Sequence, residues 1–425
     1  MFSSLRTGET KLSRSVWMVA AVLVSASCAM VVSLVVGADA NVVKVSNYFT
    51  GASAVALTSM VILLGMNRAA VYFSARYKDD TDVLLSITDT IVLGVLRNGA
   101  VLIGLACVAI LVIEARDLRE GGYFETLLVL ASAWALAVNT VLLNVLNGTD
   151  RIRELATARM LRWVTYTATV VAILLRYTEV SFLAHFAVGE AVVLLYAGRE
   201  LKRSCGFDIR RWSKGPRNES RKKEIHAYSH RAAIGQVVNA VNERGDVLLI
   251  ALLFNAPVVA VYGFTTTIVK GSFLFGVAHQ QLFNPGAARA FLSGDLPVYT
   301  GGGRREGAYL GAIALIGMIV GYWAVTSSIP NLGKYSAFTF EFALMAFGAS
   351  VFVSKQYAGG LLAMANKLRQ NNLRIFATLL LNFSLLFALA GLETVTALAW
   401  YFMLYMLMAT GTNALWVRKF LGVRI

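Results

Sequence analysis

Residues 239–255 read NAVNERGDVLLIALLFN, and the contrast between the two halves of this stretch determines how the rest of the chain is interpreted. The second half is an apolar run of the kind that crosses a membrane, whereas the first half places Glu243, Arg244 and Asp246 in the same predicted helix. A charged side chain at a bilayer centre costs about 2.5–3.5 kcal/mol on insertion scales. The stretch therefore predicts a membrane helix with a polar face that is turned away from lipid.

The polar residues of this predicted helix follow helical spacing. Five of them share one face, which spans about 120° at 100° per residue, whereas Arg244 lies off that face; the five are Gln236, Asn239, Asn242, Glu243 and Asp246. Ionisable residues in membrane helices usually face a water-filled interior or a partner. We therefore interpret this segment as a helix that lines a cavity.

The composition of the whole chain is that of a membrane protein. The 425 residues are 57% hydrophobic and 15% charged, whereas soluble domains carry about 25% charged residues. Apolar runs long enough to cross a hydrocarbon core of about 30 Å recur along the chain. They predict an all-α polytopic protein with about twelve spans, at 15–36, 48–67, 87–113, 123–146, 155–175, 179–198, 233–254, 258–283, 307–328, 337–361, 375–391 and 394–417.

Basic residues are concentrated in the gaps between these runs. The net charge is +15, and because Lys and Arg favour cytoplasmic loops, their alternation from gap to gap places both termini in the cytoplasm. This distribution explains the positive charge without nucleic acid as a partner. The longest basic loop divides the chain into two halves of six spans, 1–198 and 232–425, with 199–231 as a cytoplasmic linker. Two equal halves are typical of transporters with internal pseudo-symmetry.

Basic residues inside the predicted spans suggest an anionic ligand. Arg97 and Lys270 lie about ten to twelve residues into their spans, near the midplane at a rise of about 1.5 Å per residue. Arg68 and Lys355 lie in the cytoplasmic halves of theirs, where snorkelling to headgroups is an alternative. With Arg244, these residues are the candidate ligands for a phosphate or pyrophosphate group.

Carboxylates and amides inside the spans form a second candidate set. A carboxylate that binds a proton or Na⁺ in one conformation couples a gradient to transport. Asp246 and Glu190 are the leading candidates, and the same set includes Glu243, Asp89, Asn239 and Asn242. The alternative is that each carboxylate only pairs with a buried Arg or Lys.

Motifs for catalysis, metals or cofactors are missing from the sequence. There is no nucleotide-binding G-x-x-x-x-G-K-[ST] pattern, and the segment GGGRREG at Gly301–Gly307 follows no strand and is predicted to be a loop. His226 and His230 have the spacing of metal ligands, but no further ligand lies nearby in the sequence. We therefore predict no metal site, no cofactor and no catalytic residue, hence a protein that is not an enzyme.

Two segments resemble the O-antigen and polysaccharide flippases of the multidrug/oligosaccharidyl-lipid/polysaccharide exporter superfamily. They are 242–290, NERGDVLLIALLFNAPVVAVYGFTTTIVKGSFLFGVAHQQLFNPGAARA, and 62–76, ILLGMNRAAVYFSAR. The first is similar to the family's seventh and eighth helices, with a buried Asp before an aliphatic run and a closing Pro285; the second is similar to the end of its second helix. The resemblance implies two pseudo-symmetric six-helix lobes around a central cavity that opens alternately to either side.

The resemblance also implies a substrate. It would be an undecaprenyl-pyrophosphate-linked oligosaccharide, moved across the bacterial inner membrane for O-antigen, lipopolysaccharide or similar polysaccharide biosynthesis. Because the sequence contains no nucleotide-binding motif, we expect transport to be driven by substrate supply, the membrane potential or an ion gradient. Membrane lipid, a polysaccharide polymerase and glycosyltransferases are the further partners it implies. The alternatives are an exporter of drugs or other small molecules with the same fold, and a membrane-embedded glycosyltransferase or polymerase, against which the short exported loops argue.

Overall fold

The described part of the chain is almost wholly helical. The structure is a computed structural model that describes residues 11–114, 123–176, 180–208, 219–277, 279–280, 283, 287, 290, 294–365, 367–392 and 394–425. Its first eight helices are α1 (Lys11–Gly37), α2 (Val42–Leu63), α3 (Met66–Arg76), α4 (Thr81–Glu114), α5 (Tyr123–Gly148), α6 (Ile152–Arg176), α7 (Ala184–Cys205) and α8 (Glu219–Leu253).

The remaining helices are α9 (Ala256–Gly271), α10 (Leu296–Ser328), α11 (Thr339–Lys355), α12 (Leu361–Met364), α13 (Leu368–Ala390) and α14 (Val395–Leu421). Two 3₁₀ segments, Pro330–Phe338 and Gln356–Gly360, flank α11. The residues described contain no β-strand. The predicted all-α fold is confirmed.

Each of the twelve predicted spans coincides with a helix, but ten of the described helical segments are long and apolar enough to cross a membrane by themselves. The two predicted spans outside this group are α7 and the second half of α8. Both carry ionisable residues: Glu190 and His185 on α7, and Glu243, Arg244 and Asp246 on α8. Charged groups reduce the mean hydropathy of these two helices. Their placement in the membrane therefore depends on neighbouring helices that pair with the charged groups.

The chain forms two compact units whose boundaries fall inside helices. The first unit comprises residues 1–32 and 51–240, and the second comprises 33–50 and 241–425. The ends of α1 and α2 that flank their connecting turn thus belong to the second unit, and the first half of α8 belongs to the first.

In the first unit, α5, α6 and α7 pack against one another, and α3 packs against α4 and α5. In the second unit, α11 packs between α10 and α14, and α13 packs on α14. Both interiors are built mainly from aliphatic and aromatic side chains.

A break between α2 and α3 positions the first half of α8. Leu64 and Gly65 both have positive φ, 41° and 81°, and a β-carbon at Gly65 would stand 2.0 Å from the carbonyl oxygen of Ser229. Only glycine permits so close an approach in this conformation. The side chain of Asn98 donates to the freed carbonyl of Ile62 at 3.1 Å, which satisfies the backbone at the break.

The predicted linker 199–231 is helical at both of its ends. Helix α7 continues to Cys205 and α8 begins at Glu219, while 209–218 lies outside the described residues. The physical reason is composition: ESRKKEIHAYSH is rich in Glu, Lys, Arg and Ala, which favour helix. Ile225 and Ser229 on this part of α8 are buried within the first unit.

The prediction of a loop at Gly301–Gly307 is wrong, because these residues lie inside α10. Glycine lowers helix stability by about 1 kcal/mol relative to alanine, which makes a glycine-rich run look like a loop. Here, however, a β-carbon at Gly307 would lie 2.1 Å from the carbonyl oxygen of Ser354 on α11. The close contact between α10 and α11 requires this glycine and offsets its low helix propensity.

Candidate functional site

The second unit contains a buried ion pair at the position where the sequence predicts a polar helix face. The Nζ atom of Lys270 on α9 lies 2.9 Å from Oδ2 and 3.1 Å from Oδ1 of Asp246 on α8. It also donates to the backbone carbonyl of Glu243 at 2.9 Å. The side chains of Lys270 and Asp246 are 13% and 4% exposed, so the two predicted residues neutralise each other in the protein interior.

A tyrosine completes the coordination of Asp246. The hydroxyl of Tyr262, which lies on α9 like Lys270, donates to Oδ2 of Asp246 at 2.8 Å. The aromatic ring of Phe402 lies 6.0 Å from the Lys270 ammonium on another side. Asp246 therefore has two side-chain donors, one charged and one neutral, and both come from α9.

An amide pair continues this polar network along α8. Asn242 lies one turn before Asp246, and its Oδ1 accepts a hydrogen bond of 3.0 Å from Nδ2 of Asn382 on α13. Asn382 in turn accepts from the hydroxyl of Tyr401 on α14. All of these side chains are buried. The network thus links four helices of the second unit through groups that are satisfied internally.

The predicted polar stripe on α8 is divided by the fold. Asn242 and Asp246 are buried, Asn239 is half-buried, and the side chain of Glu243 is exposed. Asn239 and Glu243 also have interactions with their surroundings. The stripe therefore has an inner edge that packs in the second unit and an outer edge that is accessible.

The first unit contains a second buried carboxylate, which is held differently. Glu190 on α7 is 0% exposed, and Arg162 on α6 approaches both of its oxygens, with Nε 2.9 Å from Oε1 and Nη2 2.9 Å from Oε2. The hydroxyl of Tyr166 donates to Oε1, and Nδ2 of Asn139 on α5 donates to Oε2 at 2.7 Å. Glu190 is thus surrounded by donors from three residues.

The candidate residues selected from the sequence do not include Arg162. Its side chain is 15% exposed and lies within α6. The signal was present, because Arg162 falls inside the predicted span 155–175 and one turn before Tyr166. A charge within a predicted span indicates a buried partner, which here is Glu190.

The other four predicted basic residues lie on four different helices and do not pair with the buried carboxylates Asp246 and Glu190. Arg68 on α3, Arg97 on α4 and Arg244 on α8 have exposed side chains. Lys355 is half-buried at the end of α11. Among the described residues, no carboxylate forms an ion pair with any of the four. Four of the five predicted cationic residues therefore keep an unneutralised charge within the part of the chain that is described.

Asp89 is half-buried on α4 and has interactions with its surroundings. Pro285, the predicted end of the eighth membrane helix, lies outside the described residues.

The described residues hold no group of three or more His, Cys, Asp or Glu side chains that could bind a metal ion. His226 and His230 lie with ring centroids 6.5 Å apart and form a pair only.

Comparison with known proteins shows the fold. No family model matches the chain, and no curated protein matches it at a significant level. Solved structures do match: an inward-facing multidrug resistance MATE family transporter of the MOP superfamily has a TM-score of 0.69 and 13% identity, over 94% of this chain and 97% of the other. A MATE transporter from Vibrio cholerae has a TM-score of 0.66 and 12% identity, over 97% and 96% of the two chains.

A MOP superfamily transporter from Pyrococcus furiosus has a TM-score of 0.65 and 11% identity, over 96% of this chain and 95% of the other. The binding pocket of that transporter has a reverse polarity, which suggests a different function for it. The chain thus has the fold of MATE-type transporters over nearly its full length, and the structures it resembles are transporters and not enzymes.

Proposed function

We propose that this chain is an alternating-access flippase that moves an undecaprenyl-pyrophosphate-linked oligosaccharide across the bacterial inner membrane. The MATE-type fold supports transport, and the charge distribution supports the substrate class. The polysaccharide flippase branch of this superfamily is the one that the segments 62–76 and 242–290 resemble.

One observation carries the substrate class. The buried carboxylates Asp246 and Glu190 each have a basic partner, whereas Arg68, Arg97 and Arg244 are exposed and have no described carboxylate partner. The accessible charge on predicted membrane helices is therefore mainly positive. Guanidinium groups bind phosphate oxygens in a bidentate manner, so each of these arginines suits a pyrophosphate headgroup better than an organic cation.

Asp246 is the proposed coupling carboxylate. It is bound by Lys270, a compact cation on a flexible chain whose protonation responds to its surroundings. A proton or Na⁺ that binds Asp246 in one conformation would replace Lys270 and release it. Differential affinity for two conformations is what links a gradient to opening. The chain has no nucleotide-binding motif, in keeping with a secondary transporter.

A drug exporter with the same fold is the second candidate. It is favoured by the multidrug resistance transporter to which the chain is structurally similar. The Pyrococcus furiosus transporter, with its reverse polarity of the pocket, supports the idea that one fold serves ligands of different charge. An organic cation would, however, be repelled by Arg97 and Arg244. A membrane-embedded glycosyltransferase or polymerase finds less support, since the similar structures are transporters.

Proteoliposomes test this proposal. Purified protein is reconstituted with a fluorescent short-chain polyprenyl-pyrophosphate saccharide, and a membrane-impermeant quencher reports which leaflet holds the lipid. We expect the protein to accelerate the exchange between leaflets and Arg97→Gln to reduce it. Lys223→Gln removes an exposed charge on α8 and serves as the matched control. Efflux of a cationic dye without lipid movement would favour the drug exporter, and a change in the mass of the saccharide would favour the enzyme.

We further propose that both termini are cytoplasmic and that polysaccharide polymerase and glycosyltransferases are partner enzymes. The lysine and arginine asymmetry supports the orientation. Reporter fusions at Cys205 and Gly121 should indicate opposite sides of the membrane. Reporters at both positions that indicate one side would contradict the two-lobe division at 1–198, 199–231 and 232–425.

A further inference from the structure

The first turns of α8 place a pair of histidines on the surface of the first unit. Ile225 and Ser229 point into the unit and are buried, and the Ser229 hydroxyl donates to Sδ of Met66 at 3.2 Å. His226 and His230 each follow one of these residues, so they lie along the edge of the buried face. His226 is half-buried and His230 is exposed.

Arg97 belongs to the same locality. Atom Cε1 of His226 lies 3.8 Å from the position that a β-carbon at Gly94 would take, so the imidazole covers this point of α4. Arg97 follows Gly94 by three residues and therefore lies about one turn further along the same face. Its guanidinium is exposed, and no described carboxylate pairs with it. Arg97 also acts electrostatically on His226, so the arginine of α4 and the two histidines of α8 lie in one locality.

The groups that shift the pKa of His226 electrostatically are positive or able to become so. Arg97 on α4 and His230 and Lys222 on α8 act on it electrostatically, while α3 contributes the uncharged Met66. The carboxylate of Glu224, on the same turn of α8, lies 3.6 Å from Arg76. Burial, and then the positive charges of Arg97, His230 and Lys222, lower the pKa of His226.

This arrangement has the chemistry of an anion site. Two imidazoles can supply N–H donors, and the guanidinium supplies a planar fork that matches phosphate oxygens. A metal ion would instead need deprotonated or acidic ligands, and the described residues contain no group of three such ligands. We propose that Arg97, His226 and His230 form a phosphate-binding site on the first unit, and that it takes up protons when it is occupied.

Proton uptake follows from the effect of the ligand on His226. In the empty site, burial and the neighbouring cations favour the neutral imidazole. A bound phosphate dianion favours the imidazolium and raises the pKa of His226. By linkage, the ligand binds more tightly below the raised pKa and loses affinity as the pH rises through it, by up to roughly tenfold per pH unit for each proton taken up.

The site itself does not depend on the proposed transport function; only the assignment of the phosphate to a lipid-linked cargo rests on it. The flippase proposal is tested by lipid movement between leaflets. The phosphate site is tested by binding in the absence of transport. Failure of one of these two proposals would therefore not contradict the other.

The first experiment is NMR of the protein in nanodiscs with ¹³C-labelled histidine. The chain has four histidines, so each titration can be assigned with one substitution per residue. We expect inorganic pyrophosphate to raise the pKa of His226, and the resonances of His279, in the second unit, serve as the internal control. An unchanged titration of His226 at saturating pyrophosphate would overturn the site.

The second experiment measures pyrophosphate affinity at about pH 6 and about pH 8, on either side of the usual histidine pKa. The affinity of the wild-type protein for pyrophosphate should be higher by roughly tenfold or more at the lower pH. The double variant His226→Asn/His230→Asn should lose this difference, and Arg97→Gln should weaken binding at both values. The variant His226→Arg carries a fixed positive charge and should bind pyrophosphate tightly at both pH values. Tight binding by this variant would show that the loss in the other variants comes from the missing charge and not from a folding defect.

Two controls complete the test. Lys223→Gln removes a nearby exposed charge and should retain the pH dependence. A pH dependence that persists in the double histidine variant would overturn the proposal. Polyprenyl pyrophosphate and polyprenol are then compared with inorganic pyrophosphate: tighter binding of the polyprenyl pyrophosphate alone assigns the site to a lipid headgroup, and equal binding of both pyrophosphates assigns it to a soluble phosphate.

Discussion

Each of the two units contains a carboxylate that is buried against a cation, but the two pairs differ in their chemistry. In the first unit, Glu190 is held by Arg162, Tyr166 and Asn139. In the second, Asp246 is held by Lys270 and Tyr262. Arginine is always charged and presents a rigid fork, whereas lysine is a point charge whose protonation changes readily when it is buried.

The difference indicates separate roles for two residues that looked equivalent in the sequence. Glu190 lies 2.9 Å from each of two guanidinium nitrogens of Arg162 and accepts hydrogen bonds from two further donors, so any ion that replaces Arg162 must disrupt several contacts at once. Asp246 is released by the movement of a single flexible side chain. We therefore propose a structural role for Glu190 and keep Asp246 as the proposed coupling residue. The following variants test this contrast.

Removal of the arginine should have the largest effect. Arg162→Met leaves the carboxylate of Glu190 buried without its cation, and breaking a buried pair in this way costs about 3–5 kcal/mol. The free energy of unfolding in detergent is the measurement. The double variant Arg162→Met/Glu190→Gln should recover much of the loss because no charge is left unpaired. A single variant as stable as wild type would show that Glu190 is not ionised in the fold.

The two tyrosines provide a matched pair of smaller changes. Tyr166→Phe and Tyr262→Phe each remove a hydroxyl that donates to a buried carboxylate, for which we expect a loss of about 1.5–3 kcal/mol in unfolding free energy. Transport, normalised to folded protein, should change only in Tyr262→Phe. Equal effects of both substitutions on transport would remove the functional distinction between the units.

Removal of the carboxylate charge should separate coupling from stability. We expect Asp246→Asn to bind the lipid-linked substrate and to lose stimulation by an imposed pH or Na⁺ gradient by roughly tenfold, which corresponds to about 1.4 kcal/mol. Glu190→Gln should be less stable but should respond to the gradient when equal amounts of folded protein are compared. Stimulation that survives in both variants would exclude both carboxylates from coupling.

Exchange of the two cations should have the smallest effect and compares the units most directly. Lys270→Arg gives the second unit a fork in place of a point charge, and we expect transport to slow several-fold while stability is kept. Arg162→Lys gives the first unit a point charge, and we expect a loss of about 1 kcal/mol with transport unchanged. Measured rates and melting curves of both variants would show whether the type of cation determines the role.

Much of the fold could be predicted because hydropathy alone identifies membrane helices. All twelve predicted spans coincide with helices. Pairing with a buried Arg or Lys is the alternative that the sequence leaves open for each carboxylate, but the sequence does not identify Lys270 as the partner of Asp246. The helix at Gly301–Gly307 could not be predicted, since the reason for it is the contact of Gly307 with Ser354, some fifty residues away in the chain. Local composition carries no information on such a contact.

The details of the candidate site also depend on long-range contacts. Asn382 and Tyr401 are single polar residues in apolar runs, and the sequence offers no reason to connect them with Asn242. Arg162 was missed although it lies within a predicted span. Whether a charge in a span is paired or accessible depends on which helices become neighbours, and this is fixed by packing of the whole unit.

The low apolarity of α7 and α8 has a consequence for biogenesis. Each of these helices carries a carboxylate whose cation lies on the adjacent helix in the chain: Arg162 of α6 for Glu190, and Lys270 of α9 for Asp246. During synthesis α6 emerges before α7, so Glu190 meets a partner that is already present. Lys270 follows Asp246 by 24 residues, so Asp246 has no cationic partner until α9 has been synthesised. Chains truncated before α9 should therefore fail to insert α8, whereas chains that end after α9 should insert both as a hairpin.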